Sequence, residues 1–344
     1  MGNSTITVQD MVDDVSTIGD LNPVLATTGG FANRPALTIA NDIFGQMFSE
    51  RFPWKWNRMK LPPFFLVSSQ QDYASLNIRN ISWLENGGRV QLNSTQVPPP
   101  YWPMIIVRDL AISRVAAGWP THACWFPNDQ LEQGTWPGAN VTYTNPTGQA
   151  QTPTNPWTNI LDAAGNILVL TKWGTTGATA PVVPPFTPAG PGDEQPANYP
   201  VGVVVTDGTC EWTVADPQAQ GIRVFPPPPN GSQANSWLVR LFAQKTPPRF
   251  TNLQQTLDPV PDDYSQWFRD GFVAYAHRYS AVPTVKAKFE QLKADWIAAM
   301  EQAAKQGDRE DEGKGFYPAH GLLSPEYYSD PGPGNPYWRQ WGGS

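Results

Sequence analysis

Two stretches near the start of the chain carry apolar residues at helical spacing. From Thr7 to Ile18 the spacing predicts a short amphipathic helix, which Gly19 ends. From Pro35 to Phe52 it predicts a second helix with a stronger apolar face, which Pro53 stops.

A further helical pattern, which begins with an aromatic face, runs from Pro261 to Gln306. Asp262 and Asp263 at its beginning suit the positive end of a helix. Pro283 interrupts the pattern and begins a second helix, because proline is tolerated in a first turn. We expect the two N-terminal helices to cover this C-terminal pair, in a bundle closed by the two ends of the chain.

The sequence between these helices has the character of β-strands. Short β-type runs occur from Leu61 to Phe126 and again from Gly221 to Ala243, separated by turn signals such as Asn86-Gly87-Gly88. They predict one antiparallel sheet. The predicted fold class is therefore α+β, with a helical bundle core of two N-terminal and two C-terminal helices, an antiparallel β-sheet region, an inserted small β module and an extended C-terminal arm.

One acidic segment interrupts the β region. Between Val115 and Ile222 the single basic residue is Lys172, against eight carboxylates. The net charge of this segment is therefore −7, equal to that of the whole chain. The Asp207-Gly208 step between alternating apolar residues is a strong hairpin signal. We therefore predict four segments: 1–129 with the first helices and strands, an inserted acidic β module at 130–220, the remaining strands and the C-terminal helices at 221–312, and an arm at 313–344.

Composition excludes several functional classes. Two cysteines are too few for a disulfide scaffold, no secretory leader is visible, and no apolar run is long enough to span a membrane. Charged residues make up 15% of the chain and include no cluster of Lys and Arg wide enough to bind nucleic acid tightly over the whole surface. We expect a soluble intracellular product with reduced thiols and no membrane partner.

Few residues suggest catalysis. His122 and Cys124 lie two apart on a predicted strand, where a base can pair with a thiol, but no third orienting residue or oxyanion-hole signature accompanies them. Two ligands do not make a zinc site, which needs about four. We therefore predict that the chain is not an enzyme and has no catalytic, cofactor-binding or metal-binding residues and no cofactor.

Two aromatic stretches allow two interpretations each. Phe52 to Asn57, with Lys and Arg interleaved, is either a stacking surface for nucleic acid or a corner whose Trp rings fill the core, and the corner is favoured. The proline- and glycine-rich stretch from Gly315 to Trp341 is either a disordered terminus or an arm that orders on another subunit. Its candidate binding residues are Phe316, Tyr317, Tyr327, Tyr328, Tyr337, Trp338 and Trp341.

The order of these features resembles a known family. Two helices, the corner Phe52-Pro53-Trp54-Lys55-Trp56-Asn57, a β region and a helix pair opened by Pro261-Asp262-Asp263-Tyr264 resemble the head-to-tail adaptor proteins of tailed phages, in particular the tail tubular protein A type of short-tailed phages. The resemblance covers roughly Val8 to Phe316. The chain departs from the pattern of this family in two ways. Smaller members lack an inserted module of this size, and the arm is unusually rich in aromatic residues.

The resemblance implies a structural virion protein. Its expected place is the head-tail junction of a bacteriophage, after synthesis in the host cytoplasm, as a connector ring of twelve copies between the portal and a tail nozzle or another tail protein. Double-stranded DNA would pass through the ring without sequence specificity during genome ejection. The arm would bind the portal or a neighbouring copy. Charges available to neighbours or to passing DNA are Arg278, Lys286, Lys288 and Lys293.

An alternative function rests on the inserted module. Trp157, Trp173 and Trp212 can stack on sugars, which would make the chain a glycan-binding or tail accessory protein of the particle. The same three tryptophans can equally form the core of a small β unit, and this second interpretation is favoured.

Overall fold

The computed structural model describes residues 4–17, 33–76, 78–92, 101–108, 117–144, 155–184, 201–229, 237–280 and 282–313. For residues 33–35 and 305–313 the description covers the backbone. The predicted arm residues from Phe316 to Trp341 lie outside these ranges. The chain divides into two compact units, a helical unit of residues 1–58 and 244–344 and a β unit of residues 59–243.

The helical unit contains the segments that the apolar periodicity predicts as helices. Thr7 caps the first helix, because its side chain accepts from the backbone of Asp10 while Asp10 accepts from the backbone of Thr7. The helices are α1 (Val8–Ser16), α2 (Asn33–Met47), α3 (Ser265–Arg278), the single turn α4 (Pro283–Lys286) and α5 (Phe289–Gly313).

Aromatic side chains fill the space between these helices. The ring of Phe44 on α2 meets the ring of Phe268 on α3 edge-on, with centroids 5.3 Å apart. Trp296 on α5 packs edge-on against Tyr275 of α3 and donates its indole N–H to the carbonyl of Trp267 at 2.8 Å. Gly271 makes this approach possible, since a Cβ there would stand 2.6 Å from the Trp296 ring.

The residues after Pro261 form one 3₁₀ turn, Asp262–Tyr264, before α3 begins. The carboxylate of Asp262 accepts from the Ser4 hydroxyl at 2.9 Å, from the Thr5 N–H at 3.0 Å and from the Thr5 hydroxyl at 2.7 Å. These hydrogen bonds, those of Thr5 first, hold the pKa of Asp262 below its usual value. Asp262 therefore fixes the start of the chain to the C-terminal part of the helical unit.

The large sheet has eight strands in the order β1-β12-β4-β5-β6-β11-β3, with β2 paired to β12. Three of its strands are only two or three residues long, and the longest has twelve. The strands are β1 (Arg58–Lys60), β2 (Phe64–Phe65), β3 (Asp72–Tyr73), β4 (Ile81–Leu92), β5 (Tyr101–Ile106), β6 (His122–Pro127), β11 (Gln220–Phe225) and β12 (Trp237–Lys245).

A buried ion pair joins β3 to β11 within this sheet. Nε and a terminal nitrogen of Arg223 donate to the two carboxylate oxygens of Asp72, each at 2.6 Å, and both side chains are at most 9% exposed. The guanidinium also lies 4.8 Å from the centre of the Phe126 ring on β6. This pair therefore ties three neighbouring strands of the sheet.

The second sheet is antiparallel and has four strands, in the order β7-β8-β10-β9. They are β7 (Asn159–Leu161), β8 (Ile167–Lys172), β9 (Val204–Asp207) and β10 (Cys210–Val214), all within the segment predicted as an inserted module. Trp212 is fully buried at its centre, edge-on to Tyr143. Burial raises the pKa of the neighbouring Cys210 thiol to about 11, and Asp207 adds to the effect.

The acidic side chains of this sheet have internal roles. Asp207 is buried and accepts hydrogen bonds from the indoles of Trp136 and Trp212 and from the Gly177 backbone. Asp216 is also buried and pairs with Arg79. Asp207 therefore holds parts of this sheet together, and Asp216 ties the chain after β10 to Arg79.

The predicted fold class is wrong. Strands predominate among the described elements: twelve strands form two sheets, against four helices longer than a single turn. The large sheet is mixed, because β5 and β6 run parallel, with Ile105 opposite His122. The helices form one of three separate apolar clusters, so the fold is not a helical bundle that carries one antiparallel sheet. Strand type is visible in the sequence, but strand pairing and direction are not.

Two helix glycines should respond in opposite ways to alanine. Gly271→Ala should lower the free energy of unfolding by about 1–3 kcal/mol, because the new methyl group overlaps the rigid Trp296 ring. Gly45→Ala on α2 should raise it by about 0.5–1 kcal/mol, since nothing lies within 4 Å of that position and alanine restricts the unfolded chain. Urea unfolding of both variants measures the difference, and equal effects would contradict the packing described for α3 and α5.

Asp72→Asn should lower the free energy of unfolding on the order of 3–5 kcal/mol, because it leaves the buried Arg223 guanidinium unpaired. Glu211→Gln provides the matched control, since Glu211 pairs with Lys172 at the surface and such pairs contribute about 0.2–1 kcal/mol. Chemical denaturation of the full chain compares the two. A loss at Asp72 no larger than that at Glu211 would contradict the role given to the buried pair.

Asp262→Asn should destabilise the chain near neutral pH and have no effect in strong acid. The folded-state pKa of Asp262 is lowered from 3.8, so its stabilisation is present above 3.8 and is lost as the pH falls through the lower folded-state value. Urea midpoints at pH 7 and in acid measure this dependence. Asp263→Asn, in the same turn and without a side-chain hydrogen bond to the described residues, is the control.

Candidate functional site

An open cleft of about 600 Å³ lies on the helical unit, where α4 and the first turn of α5 face α2 and α3. Two buried aromatic rings belong to its lining, Tyr275 of α3 and Phe289 of α5. Their centroids are 5.4 Å apart and the rings meet at 75°. The cleft therefore has a rigid aromatic floor built from two different helices.

Three cationic side chains line the same cleft. The guanidinium of Arg278 lies 5.8 Å from the centre of the Phe289 ring. The ammonium of Lys293 lies 5.7 Å from the Phe289 ring and 5.9 Å from the Tyr275 ring, within range of cation–π attraction. Lys286 of α4 is the third and is exposed. No carboxylate among the described residues lies within ion-pair distance of these three side chains.

Helical spacing explains how the cleft is assembled. Arg278 follows Tyr275 by three positions on α3, and Lys293 follows Phe289 by four positions on α5, so each cation lies on the same face as its ring. Pro283 begins α4, whose buried Val285 anchors the turn that brings Lys286 to the cleft. The chain thus reverses between α3 and α5 and places the two aromatic–cation pairs opposite each other.

Two carboxylates, Asp42 of α2 and Glu290 of α5, also line the cleft. Burial raises the pKa of Tyr275; the charge of Asp42 raises it further, Arg278 lowers it, and Glu290 raises it. The phenol therefore remains a hydrogen-bond donor at neutral pH. The lining thus contains three cations, two carboxylates, a neutral donor and two buried rings, and the excess of one positive charge favours an anionic ligand.

The structure brings together three of the four charges predicted for assembly. Arg278, Lys286 and Lys293 line the cleft, whereas Lys288 is exposed and does not line it. The sequence did not predict the aromatic floor, because the helical spacing of Tyr275 and Phe289 indicates only that they lie in the core. The available signal was a cation three or four residues after an aromatic ring. The predicted arm residues lie outside the described part of the chain.

The residues considered for catalysis are not paired with each other. Cys124 is fully buried, and its sulfur lies 3.9 Å from the carbonyl oxygen of Arg223. A ring nitrogen of His122 lies 2.9 Å from the hydroxyl of Thr121. Within the described ranges, no group of three or more His, Cys, Asp or Glu side chains is arranged to hold a metal ion.

The tryptophans of the two sequence motifs are largely structural. Trp54 and Trp56 are buried and stacked with centroids 5.7 Å apart, which confirms the corner interpretation of residues 52–57. In the predicted module, Trp212 is enclosed in the core of the small sheet. Trp157 packs against the core of the large sheet, and Trp173 meets Phe65 edge-on. Trp157, Trp173 and Trp212 therefore do not form one exposed stacking surface.

No protein-family model matches the chain, and no curated protein matches it significantly. Among the helices in the described ranges, none combines the length and apolar character needed to cross a membrane.

Proposed function

We propose that the chain is a structural protein of a bacteriophage particle, a head-to-tail adaptor that forms a ring between the portal and the tail. The sequence resemblance suggests this function. The observation that supports it most directly is the cleft, in which Arg278, Lys286 and Lys293 have no carboxylate partner among the described residues. Because these cations have no such partner on a chain with a net charge of −7, they are available to an acidic neighbour or to DNA phosphates.

In this proposal the adaptor acts through contacts rather than chemistry. A ring is built from heterologous contacts, in which one surface of each copy meets a different surface of the next. A few cations per copy bind DNA phosphates weakly and without reading bases, which allows the genome to pass. The aromatic arm provides the hot spots for the portal or a neighbouring copy, and no cofactor is needed.

The alternative, glycan binding by the inserted module, has less support. Stacking on a sugar needs an accessible aromatic face. Trp212 is fully buried, and Trp157 and Trp173 are half-buried against other side chains of the β unit. Trp212 therefore packs within the small sheet, while Trp157 and Trp173 contact residues of the large sheet.

Electron microscopy of the full chain mixed with the portal protein of the virus that encodes it tests the proposal. We expect class averages with a closed ring bound to the portal. Trp338→Ala should weaken this binding by on the order of 2 kcal/mol, since an interface Trp is a typical hot spot. Absence of rings from the intact chain in the presence of portal would contradict the adaptor function.

A chain that ends at Gly313 separates the role of the arm from that of the folded units. Its circular dichroism should match that of the full chain, and its binding to the portal should be lost. Undiminished ring formation by this shorter chain would overturn the assignment of the arm while leaving the adaptor function intact.

A further inference from the structure

The cleft on the helical unit has the properties of a ligand site. This open cleft has a volume of about 600 Å³, within the range of roughly 300–1,000 Å³ for clefts that bind small ligands. Three cations, Arg278, Lys286 and Lys293, outnumber the two carboxylates of the lining, so the cleft favours a ligand that carries carboxylates of its own.

The chain itself contains a segment with this chemistry. In residues 314–344 the only carboxylate side chains are Glu326 and Asp330, and they flank the pair Tyr327-Tyr328. The other aromatic residues of this stretch occur near Lys314 or Arg339, whose charges would be repelled by the cations of the cleft. Glu326–Asp330 is therefore the part of the arm that matches the cleft.

Chain length allows this segment to reach the cleft of its own molecule. The helix α5 begins at the cleft with Phe289 and ends at Gly313, so its 25 residues carry the chain about 37 Å away. The 13 residues from Lys314 to Glu326 span roughly 45 Å when extended. Glu326 can thus return along α5, whereas Phe316, three residues past the helix, cannot.

We propose that Glu326–Asp330 docks in the cleft of its own chain before assembly. Glu326 and Asp330 pair with Arg278, Lys286 and Lys293, and Tyr327 and Tyr328 lie against the side chains that line the cleft. Attachment through α5 makes the docking intramolecular, at an effective concentration in the millimolar range. The docked segment withholds part of the arm from other proteins, and a partner must displace it to engage the arm.

A distance measurement in the full chain tests the docking. Thr284→Cys on α4 and Ser329→Cys in the segment carry spin labels, while Cys124 and Cys210 are fully buried. Pulsed electron resonance should give a narrow distance distribution well below the roughly 37 Å length of α5. A broad distribution of the distance between the two labels, in the protein whose cleft is otherwise unchanged, would overturn the proposal.

Charge reversal then identifies the cleft as the receptor. Lys286→Glu combined with Lys293→Glu should reduce the short-distance population about tenfold, because two attractive pairs become repulsive. Lys288→Glu is the matched control, since this exposed lysine lies between them in sequence but does not line the cleft. Glu326→Lys with Asp330→Lys should restore the short distance in the reversed cleft. An equal loss with Lys288→Glu, or no restoration, would contradict specific docking.

Dilution with unlabelled protein distinguishes docking within a chain from docking between copies. The short distance should survive a large excess of unlabelled chain, and its disappearance would show that the occupant is the segment of a second copy. The measurement needs no portal or ring. Failure of the docking proposal therefore leaves the adaptor function untouched, and failure of ring assembly leaves the docking result valid.

Discussion

A charge that is removed from water must be paired, and in the β unit this requirement falls on Asp72 and Arg223. Asp72 also accepts the backbone N–H of Glu132 at 2.6 Å, so the carboxylate holds the chain where it leaves the large sheet for the small one. The adjacent Gln70 is fully buried and binds Thr158 and Asn159 at the start of the small sheet. The buried hydrogen bonds of Asp72, Arg223 and Gln70 therefore fix the register of β3 against β11 and attach the second sheet to the first.

The sequence predicts the elements better than their arrangement. Helical period located α1, α2, α3 and α5, because apolar spacing and terminal signals agree there. The fold class was wrong because period carries no information on which strands pair or in which direction, as at the parallel pair β5 and β6. Strands as short as β2 and β3 have no period to detect. Asp262 was assigned to a helix end, whereas its carboxylate binds Ser4 and Thr5 at the other end of the sequence.

The candidate site was predictable only in part. Helical spacing places Arg278 beside Tyr275 on α3 and Lys293 beside Phe289 on α5, whereas Lys286 belongs to the separate turn α4. The convergence of these three cations depends on the reversal of the chain between α3 and α5, which no local pattern specifies. The acidic segment shows the same limit. Its negative charge predicted an inserted module of separate character but did not show that Asp207 and Asp216 are buried and bonded internally.

Insertion of the β unit between residues 58 and 244 has a consequence for synthesis of the chain. The apolar faces of α1 and α2 leave the ribosome first, but Phe268, Trp296 and Met300, which bury them, follow more than 200 residues later. At about 5–20 residues per second this is a delay on the order of 10–50 s. The β unit can close its own cores during that interval. The nascent helices therefore require protection from aggregation, and expression conditions that slow translation lengthen their exposure.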